Sequence, residues 1–404
     1  MLNNLPDSWS LKKVDDIANI YLGLTYTPTY TEQGVPFLSV KDLNDTYLDF
    51  ENSKFISHDE FKDATENAKP KKGDIIFGRV GTLGNPLIIE TDIQFCIFVS
   101  LGFFRIKGNA CDSGFLSNWM KSPLFEKQVD NIVAGGAQKN LNTGWLKNFT
   151  IPIPPLPEQK AIARVLSTWD EAIHKTEKLI TQKEQRKKWL MQNLLTGKKR
   201  LKGFGKANYK KNLIKEILNP IRNTLIPEAK MLYQQIGIRS HGKGIFYKEM
   251  VSGKDLGNKR VFWIEANCFI LNIVFAWEQA VAKTTESEIG MIASHRFPMF
   301  KPVEGKLDLN YILYYFKSPR GKQLLENASP GGAGRNKTLG QSEFINQIVS
   351  LPTIEEQTAI AHVLQATDKE IKLLKTKAGK LRDQKKGLMQ MLLTGKKRLK
   401  TNSI

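Results

Sequence analysis

Two glycine-rich segments of this 404-residue chain combine amide, guanidinium and ammonium side chains. They read Gly-Gly-Ala-Gln-Lys-Asn at 135–140 and Gly-Gly-Ala-Gly-Arg-Asn-Lys at 331–337. Glutamine and asparagine suit the adenine edge, arginine suits guanine, and lysine mainly neutralises phosphate. We therefore predict DNA contacts from Gln138, Lys139, Asn140, Arg335, Asn336 and Lys337, with ordinary surface loops as the alternative interpretation.

Four further candidate residues lie in two other segments that contain glycine, and Lys283 is a fifth candidate. The first such segment is Gly-Arg-Val-Gly-Thr at 78–82, and the second spans 237–244. Glycine lets a backbone approach a ligand closely, and the basic side chains suit phosphate or guanine. The additional predicted DNA contacts are Arg79, Thr82, Arg239, Lys243 and Lys283.

The motifs of nucleotide, nuclease and metal chemistry are incomplete in this sequence. Segment 237–244 nearly fits a phosphate-binding loop, but Gly244 replaces the hydroxyl residue that would bind magnesium. Glu304-Gly305-Lys306 resembles part of a nuclease site without a well-placed partner carboxylate. The five histidines and three cysteines lack zinc-site spacing. We predict no catalytic residue, no metal site and no cofactor bound by this chain.

The chain is strongly basic, with 60 Lys and Arg against 40 Asp and Glu. Segments 154–202 and 352–404 each carry a net charge of +7. This concentration favours a polyanion or an acidic partner, although solvated lysine-rich helix faces would give the same count. The apolar runs are too short for a bilayer span, and the first residues lack the pattern of a secretory signal. We expect a cytoplasmic protein without a membrane partner.

An internal repeat organises the sequence. Residues 158–202 and 356–400 align without a gap at an offset of 198, and 23 of the 45 positions are identical. Apolar residues recur at alternating spacings of three and four in both copies, which is typical of coiled-coil helices. The spacing predicts two helices of about 38 residues, or about 57 Å each. Gly197 and Gly395 are expected to end them, and Thr353 with Glu356 fits a capping box.

Each helix needs a partner for its apolar stripe, and the other copy offers a matching one. We predict an antiparallel coiled coil with pseudo-twofold symmetry, with dimerisation between chains as the alternative. Strands are expected at 35–40, 73–77 and 93–104 before the first helix, and at 260–264 and 268–275 before the second. The predicted fold class is α+β, with two mixed α/β domains separated by two long helices. The proposed domains are 1–153, 154–202, 203–351 and 352–404.

This order of segments resembles the specificity subunit of type I restriction-modification systems. The resemblance rests on Pro-Pro-Leu-Pro-Glu-Gln at 154–159, on the second Glu-Glu-Gln at 355–357 and on the repeated Leu-Leu-Thr-Gly-Lys-Lys-Arg-Leu ending. It covers essentially the whole chain. The α/β blocks match the family only in outline, through Leu-Pro-Asp-Ser-Trp at 5–9 and the glycine-rich segments.

The resemblance implies that each α/β block is a target-recognition domain reading half of a split, asymmetric site in double-stranded DNA. It implies that the helices act as a spacer and dock two methyltransferase subunits, which bring S-adenosylmethionine and methylate adenine. A motor-nuclease subunit would join them for cleavage. By resemblance, this chain reads sequence and catalyses nothing.

Near-identical surfaces at symmetric places suit two copies of one partner, so we expect the partner to dock on the outer faces of the repeats. We also expect the length of the helices to set the unread gap within the DNA site. A coiled-coil scaffold without DNA readout and a self-contained restriction-methylation enzyme remain the alternative functions. Helix capping and core packing would explain several of the candidate partner-binding residues equally well. These candidates are Glu158, Gln159, Asp170, Glu356, Gln357 and Asp368.

Overall fold

The structure is a computed structural model that describes residues 5–44, 46–81, 83–133, 140–205, 208–331 and 337–400. The chain forms two compact units. The first unit consists of Met1–Glu177 and Thr376–Ile404, and the second of Lys178–Lys375. Each unit therefore contains one α/β lobe and part of both long helices. The boundaries between the units fall inside these helices.

Strands and helices of the first lobe precede the first long helix. The strands are β1 (Ser10–Lys13), β2 (Ala18–Leu22), β3 (Tyr30–Thr31), β4 (Val35–Leu38), β5 (Lys54–Ile56), β6 (Ile75–Gly78), β7 (Gly84–Ile88), β8 (Cys96–Ile97), β9 (Leu101–Ile106) and β10 (Thr150–Ile153). The helices are α1 (Val14–Ile17), α2 (His58–Ala64), α3 (Ser113–Met120), α4 (Pro123–Val133), α5 (Thr143–Asn148) and the long α6 (Leu156–Leu194), with a 3₁₀ turn at Val40–Asp42.

The second lobe follows the same general order and ends in the second long helix. Its strands are β11 (Lys210–Leu213), β12 (Leu218–Ile221), β13 (Thr224–Leu225), β14 (Leu232–Arg239), β15 (Gly244–Ser252), β16 (Val261–Trp263), β17 (Phe269–Leu271), β18 (Val281–Lys283), β19 (Ile292–Ser294), β20 (Met299–Pro302) and β21 (Ile348–Leu351). Its helices are α7 (Gly253–Leu256), α8 (Leu309–Lys317), α9 (Pro319–Asn327), α10 (Gln341–Ile345) and α11 (Ile354–Leu392), with 3₁₀ turns at Ile214–Glu216, Ala276–Glu278 and Glu286–Glu288.

Two sheets have the same topology in both lobes. A four-stranded sheet has the order β2-β9-β6-β7 in the first lobe and β12-β20-β17-β18 in the second. A two-stranded antiparallel sheet pairs β1 with β10 and, in the second lobe, β11 with β21. In each lobe the strand immediately before the long helix is thus held against the strand that opens the lobe.

The third sheet differs between the lobes. Its order is β3-β5-β4-β8 in the first lobe and β13-β16-β19-β14-β15 in the second. Both versions contain one parallel pair, β4 with β8 and β14 with β19. The second lobe adds the edge strand β15, which forms a long hairpin with β14. The lobes therefore share one sheet framework and differ in the part built on it.

The ends of the long helices belong to the lobe cores. In the first unit Ile162 and Leu166 of α6 and Leu392 of α11 lie in one cluster with Phe104, Phe115 and Trp119. In the second unit Ile360 and Leu364 of α11 and Leu194 of α6 pack with Phe269, Tyr311 and Phe316. Burying large apolar side chains is the main favourable term in folding, so each lobe is stabilised by both helices.

The predicted helices are confirmed, and each contains 39 residues. Within each unit, residues later in α6 form ion pairs with residues earlier in α11, as an antiparallel coiled coil requires. Gly197 and Gly395 have φ values of +73° and +71°, which suits glycine at a helix end. The predicted capping box is wrong, because the Glu356 side chain binds Arg200 instead.

The strand predictions were correct in position but too long. The segment 93–104 is divided between β8 and β9, and the predicted strands near 260 and 270 each contain three residues. Short turns interrupt these apolar runs, and an apolar run alone cannot reveal where a turn begins. Within the described residues, no helix combines the length and apolarity needed to cross a membrane.

Candidate nucleic-acid interface

In the first lobe the loop between β6 and β7 contacts the end of the glycine-rich segment. The Leu141 backbone N–H donates to the Arg79 carbonyl oxygen at 2.9 Å, and Val80 forms an antiparallel bridge with Asn140. Gly81 and Gly84 both have a φ of +79°, a conformation that glycine adopts without strain. The described residues Arg79 and Val80 therefore lie beside Asn140 and Leu141, at the end of the second predicted segment.

Arg79 is the residue that fastens them. Its Nε donates to the Leu141 carbonyl oxygen and its Nη1 to the Val99 carbonyl oxygen, both at 2.9 Å. The residue is only 7% exposed, and burial lowers the pKa of its guanidinium below the ordinary value. The prediction that Arg79 contacts DNA needs correction, since its side chain points into the lobe and binds backbone carbonyl groups.

The other predicted residues of the first lobe are only partly described. Asn140 is half-buried, and it lies beside Val80 on the exposed loop. Thr82, Gln138 and Lys139 lie outside the described residues, so their DNA contacts stay a prediction. The position of Asn140 places the end of the glycine-rich segment at the loop between β6 and β7.

The second lobe repeats this arrangement. The Leu339 N–H donates to the Ile273 carbonyl oxygen at 2.8 Å, in the loop between β17 and β18. Leu141 and Leu339 are separated by 198 residues, the offset of the repeat. Lys337 places its Nζ 5.7 Å from the centre of the Trp277 ring in the same loop. Arg335 and Asn336 lie outside the described residues.

The β14–β15 hairpin brings two more predicted residues to this loop. The N–H groups of His241 and Gly242, at the hairpin tip, donate to the carbonyl oxygens of Glu278 and Gln279 at 2.7 and 2.8 Å. Arg239 precedes the tip and stacks 4.9 Å from the Phe246 ring, and Lys243 lies within the tip. The loop 272–280 therefore contacts both the tip of the hairpin and Lys337.

Lys283 lies elsewhere, at the end of β18 and against α8. Its Nζ donates to Asn310 Oδ1 at 2.6 Å. Burial is the main cause that lowers the pKa of the Lys317 side chain, and the nearby positive charges of Lys187 and Lys283 lower it further. Sequence reasoning missed Lys317, whose stem also lies under Gly242 at the hairpin tip. This lysine cluster adds positive charge beside the hairpin.

The predicted partner-binding glutamates are buried. Glu158 is 3% exposed and accepts hydrogen bonds from Arg398 Nε at 2.6 Å and from Trp9 Nε1 at 3.1 Å. Glu356 is fully buried and accepts from Arg200 Nε at 2.5 Å. The hydrogen bonds raise the pKa of both guanidinium groups. The expectation that these glutamates lie on an outer face is wrong.

The neighbouring glutamines are buried as well. Gln159 Oε1 accepts from the Asp112 N–H at 2.8 Å, and Gln357 Oε1 accepts from the Asp308 N–H at 3.0 Å. Both amide groups also donate to the carbonyl oxygen of the proline five residues earlier. Each glutamine fastens the start of a long helix to its lobe, so its side chain does not present an outer face.

Asp170 and Asp368 remain partly exposed but are paired. Asp170 accepts from Lys385 Nζ at 2.6 Å. Asp368 binds Lys187 Nζ at 2.5 Å and the Tyr314 hydroxyl at 2.6 Å. The two lysines interrupt the apolar stripes at matching positions, which is the signal that could have predicted both pairs. A partner-binding role for the six residues stays a prediction, with four of them buried.

The two lobes, their repeated loop contacts and the paired helices define a class of DNA-sequence-recognition proteins. The chain belongs to the family of type I restriction modification DNA specificity domains, whose model matches residues 6–183 and 198–382. Each match contains one lobe and most of the long helix that follows it. The family assignment agrees with the internal repeat.

Relatives extend over most of the chain. A Methanocaldococcus jannaschii protein assigned as the MjaX specificity subunit of a type I restriction enzyme is 24% identical, with 99% of this chain and 96% of the relative covered. The EcoKI specificity subunit of Escherichia coli is 25% identical, with 88% and 81% covered. These similarities include both lobes and both helices.

Solved structures share the fold. The S subunit of a type I restriction-modification system from M. genitalium has a TM-score of 0.55 at 15% identity, with 97% of both chains covered. A chain from a study of complex assembly and conformational transition in a type I system has a TM-score of 0.59 at 13% identity, with 96% of this chain and 98% of that chain covered.

Among the described residues, no three His, Cys, Asp or Glu side chains form a metal-binding group.

Proposed function

We propose that each lobe reads one half of a split, asymmetric site in double-stranded DNA. The observation that carries this proposal is the repeated hydrogen bond from Leu141 to Arg79 and from Leu339 to Ile273. In both lobes it joins a glycine-rich segment with polar and basic side chains to the loop between two sheet strands. The sheet framework is shared, while the surrounding residues differ, so the two lobes suit two different base sequences.

We further propose that the chain borrows its chemistry from partners. Two methyltransferase subunits, each with bound S-adenosylmethionine, would dock on this chain and methylate adenine, and motor-nuclease subunits would join them for cleavage. The high positive charge of the two repeats supports a location beside DNA or an acidic partner surface. The chain itself would act in the cytoplasm as the non-catalytic reader of the complex.

Genome-wide mapping of methylated adenines tests this function. Cells carrying the chain with its methyltransferase should show methylation at two short sets of fixed bases separated by a constant unread gap. Exchanging 1–153 for the corresponding block of another family member should change one set only. Methylation at a single contiguous site, or no sequence preference, would overturn the proposal.

A matched pair of variants locates the interface more closely. Lys337→Ala should weaken binding of the purified complex to DNA and reduce the salt dependence of binding by about one counterion, because one phosphate contact is lost. Lys254→Ala removes the same charge from an exposed lysine of α7 in the same lobe, beyond the end of β15 that lies away from the hairpin tip. Equal losses for the two variants would indicate a general charge effect and contradict the proposed contact.

A further inference from the structure

The two repeats share most of their residues near their ends and differ in the middle. Between Ile173 and Lys187, none of the thirteen positions is identical to its counterpart 198 residues later. On either side of this stretch the identities are dense. The differences that can distinguish one repeat from the other are therefore concentrated at the centre of the helices.

The charged contacts at the ends do not distinguish the repeats. Glu158 with Arg398 and Glu356 with Arg200 are counterparts, as are Asp170 with Lys385 and Asp368 with Lys187. Each repeat carries one acidic and one basic member of every such set. If α6 paired antiparallel with the α6 of a second copy, Glu158 would meet Arg200 and Asp170 would meet Lys187. All the end contacts would form again.

The central contacts behave differently. In the first unit Glu177 of α6 pairs with Arg382 of α11, and in the second unit Glu184 of α6 pairs with Lys375 of α11 at 2.6 Å. The counterpart of Glu177 is Lys375, and the counterpart of Glu184 is Arg382. Both acidic members therefore lie on α6, one heptad apart, and both basic members lie on α11.

Pairing between identical helices would bring like charges together. In an antiparallel α6–α6 pair Glu177 would face Glu184 of the second copy, and in an α11–α11 pair Lys375 would face Arg382. A third contact also disfavours pairing between identical helices: Lys183 binds Glu370 at 2.7 Å. The counterparts of these two residues are Leu381 and Ala172, so this ion pair would also be lost.

We propose that the charged residues Glu177, Lys183, Glu184, Glu370, Lys375 and Arg382 form a pairing-specificity site that makes α6 accept α11 and reject a second copy of α6. Flanking charges in coiled coils set partner choice and orientation in this way. The site favours pairing of α6 with α11 over pairing between the identical repeats of two chains. The four residues of the two repeated central pairs are roughly half-exposed, so salt should weaken the discrimination.

A paired charge swap tests the site in the full-length chain. E184K/K375E retains an opposite-charge pair between α6 and α11, but it gives each helix one acidic and one basic central residue. Pairing between identical helices then becomes favourable at both central positions. Ile180→Cys, near the midpoint between Glu177 and Glu184, places a thiol where two α6 helices of different chains would meet.

The measurement is the disulfide-linked dimer that forms after the chain is unfolded, refolded over a concentration series and oxidised. E184K/K375E should raise this dimer by about tenfold over the Ile180→Cys parent, because several contacts each change the pairing equilibrium a few-fold. High salt should raise the dimer in the parent. The exposed Lys178→Cys reports collisional cross-linking, and circular dichroism verifies that helix content is retained.

A second swap supplies the decisive control. E177K/R382E alone should also permit the dimer, because it likewise mixes the charges on each helix. Combining both swaps places two lysines on α6 and two glutamates on α11. Identical helices would again bring like charges together, so the quadruple variant should exclude the dimer as the parent does. Dimer levels that are unchanged by either double swap, or that rise further in the quadruple variant, would overturn the proposal.

Discussion

Arg398 donates from Nε and Nη2 to the two carboxylate oxygens of Glu158, at 2.6 and 2.7 Å, across 240 residues of sequence. The glutamate lies in the first turn of α6, and the arginine follows the end of α11. Glu356 and Arg200 form the same contact in the second unit. A planar guanidinium matches both oxygens of a carboxylate, so this contact fixes orientation as well as charge. The glutamate of each Glu-Gln motif therefore binds the arginine of the Gly-Lys-Lys-Arg motif from the other repeat.

Glu356→Gln should destabilise the second unit. The amide keeps one acceptor oxygen but turns an N–H group toward Arg200, leaving a guanidinium without its carboxylate. Losing a charge-assisted hydrogen bond at a fully buried group costs about 1.5–3 kcal/mol. The measurement is the urea unfolding midpoint of the full chain.

Glu355→Gln is the matched control for this change. Glu355 is the adjacent residue, and its exposed side chain interacts with Thr353 and with its own backbone. It should leave the unfolding midpoint nearly unchanged. Similar midpoints for the two variants would mean that the contact between Glu356 and Arg200 adds little to the stability of the unit.

The repeat made the long helices and their pairing predictable, because a periodic apolar stripe has few alternative partners. The destinations of Glu158 and Glu356 were not predictable from local sequence. Glu356 follows Thr353 by three residues, so local sequence allows it either to close a capping box or to pair with a distant arginine. Only the fold decides between these two contacts. The matching positions of Asp170, Lys187 and their counterparts did carry enough information for a pairing prediction.

The candidate interface was predictable only in composition. Glycine, amide and basic residues indicate a polar binding surface, but burial decides which of them face outward. Arg79 illustrates this, since the next two residues, Val80 and Gly81, are exposed while the Arg79 side chain binds the carbonyl groups of Leu141 and Val99. The hairpin β14–β15 has no counterpart in the first lobe, so the repeat could not predict its position against the loop 272–280.

Arg79→Lys should relax base recognition by the first lobe and leave the second unaffected. Lysine keeps the positive charge but cannot reproduce the two hydrogen bonds to separate carbonyl groups, so the end of the glycine-rich segment loses its anchor. Methylation mapping should show degenerate bases in one half of the site. Lys72→Met, which removes an exposed charge in the same lobe, provides the comparison. Degeneracy in both halves would contradict a positioning role confined to the first lobe.

Lys139 and Asn140 should affect DNA binding in different ways. Lys139→Ala should lower affinity by a similar factor for every sequence, because a phosphate contact carries little base information. Asn140→Ala should weaken discrimination at one base position by about 1–3 kcal/mol. Binding to a set of duplexes with single base changes measures both effects. An equal loss at every sequence for both variants would refute this division of roles.

The buried thiols predict how stability depends on alkaline pH. Burial raises the pKa of Cys96 to about 11 and that of Cys111 to about 12, from an ordinary value of 9.0. Above pH 9 the unfolded chain releases these protons while the folded chain retains them. The free energy of unfolding should therefore fall as pH rises, by about 1.4 kcal/mol per pH unit for each thiol until its folded-state pKa is reached.

Urea unfolding midpoints over this pH range measure that loss, and comparison with C96A/C111A separates the thiols from other alkaline groups. Tyrosines such as the partly buried Tyr209 and the buried Tyr311 also have raised pKa values, so part of the decline persists in the double variant. The double variant should be less stable than the parent at neutral pH, where its cavities cost stability, and the difference should narrow as pH rises. Parallel pH profiles for the two proteins would show that both thiols titrate alike in the folded and unfolded chain.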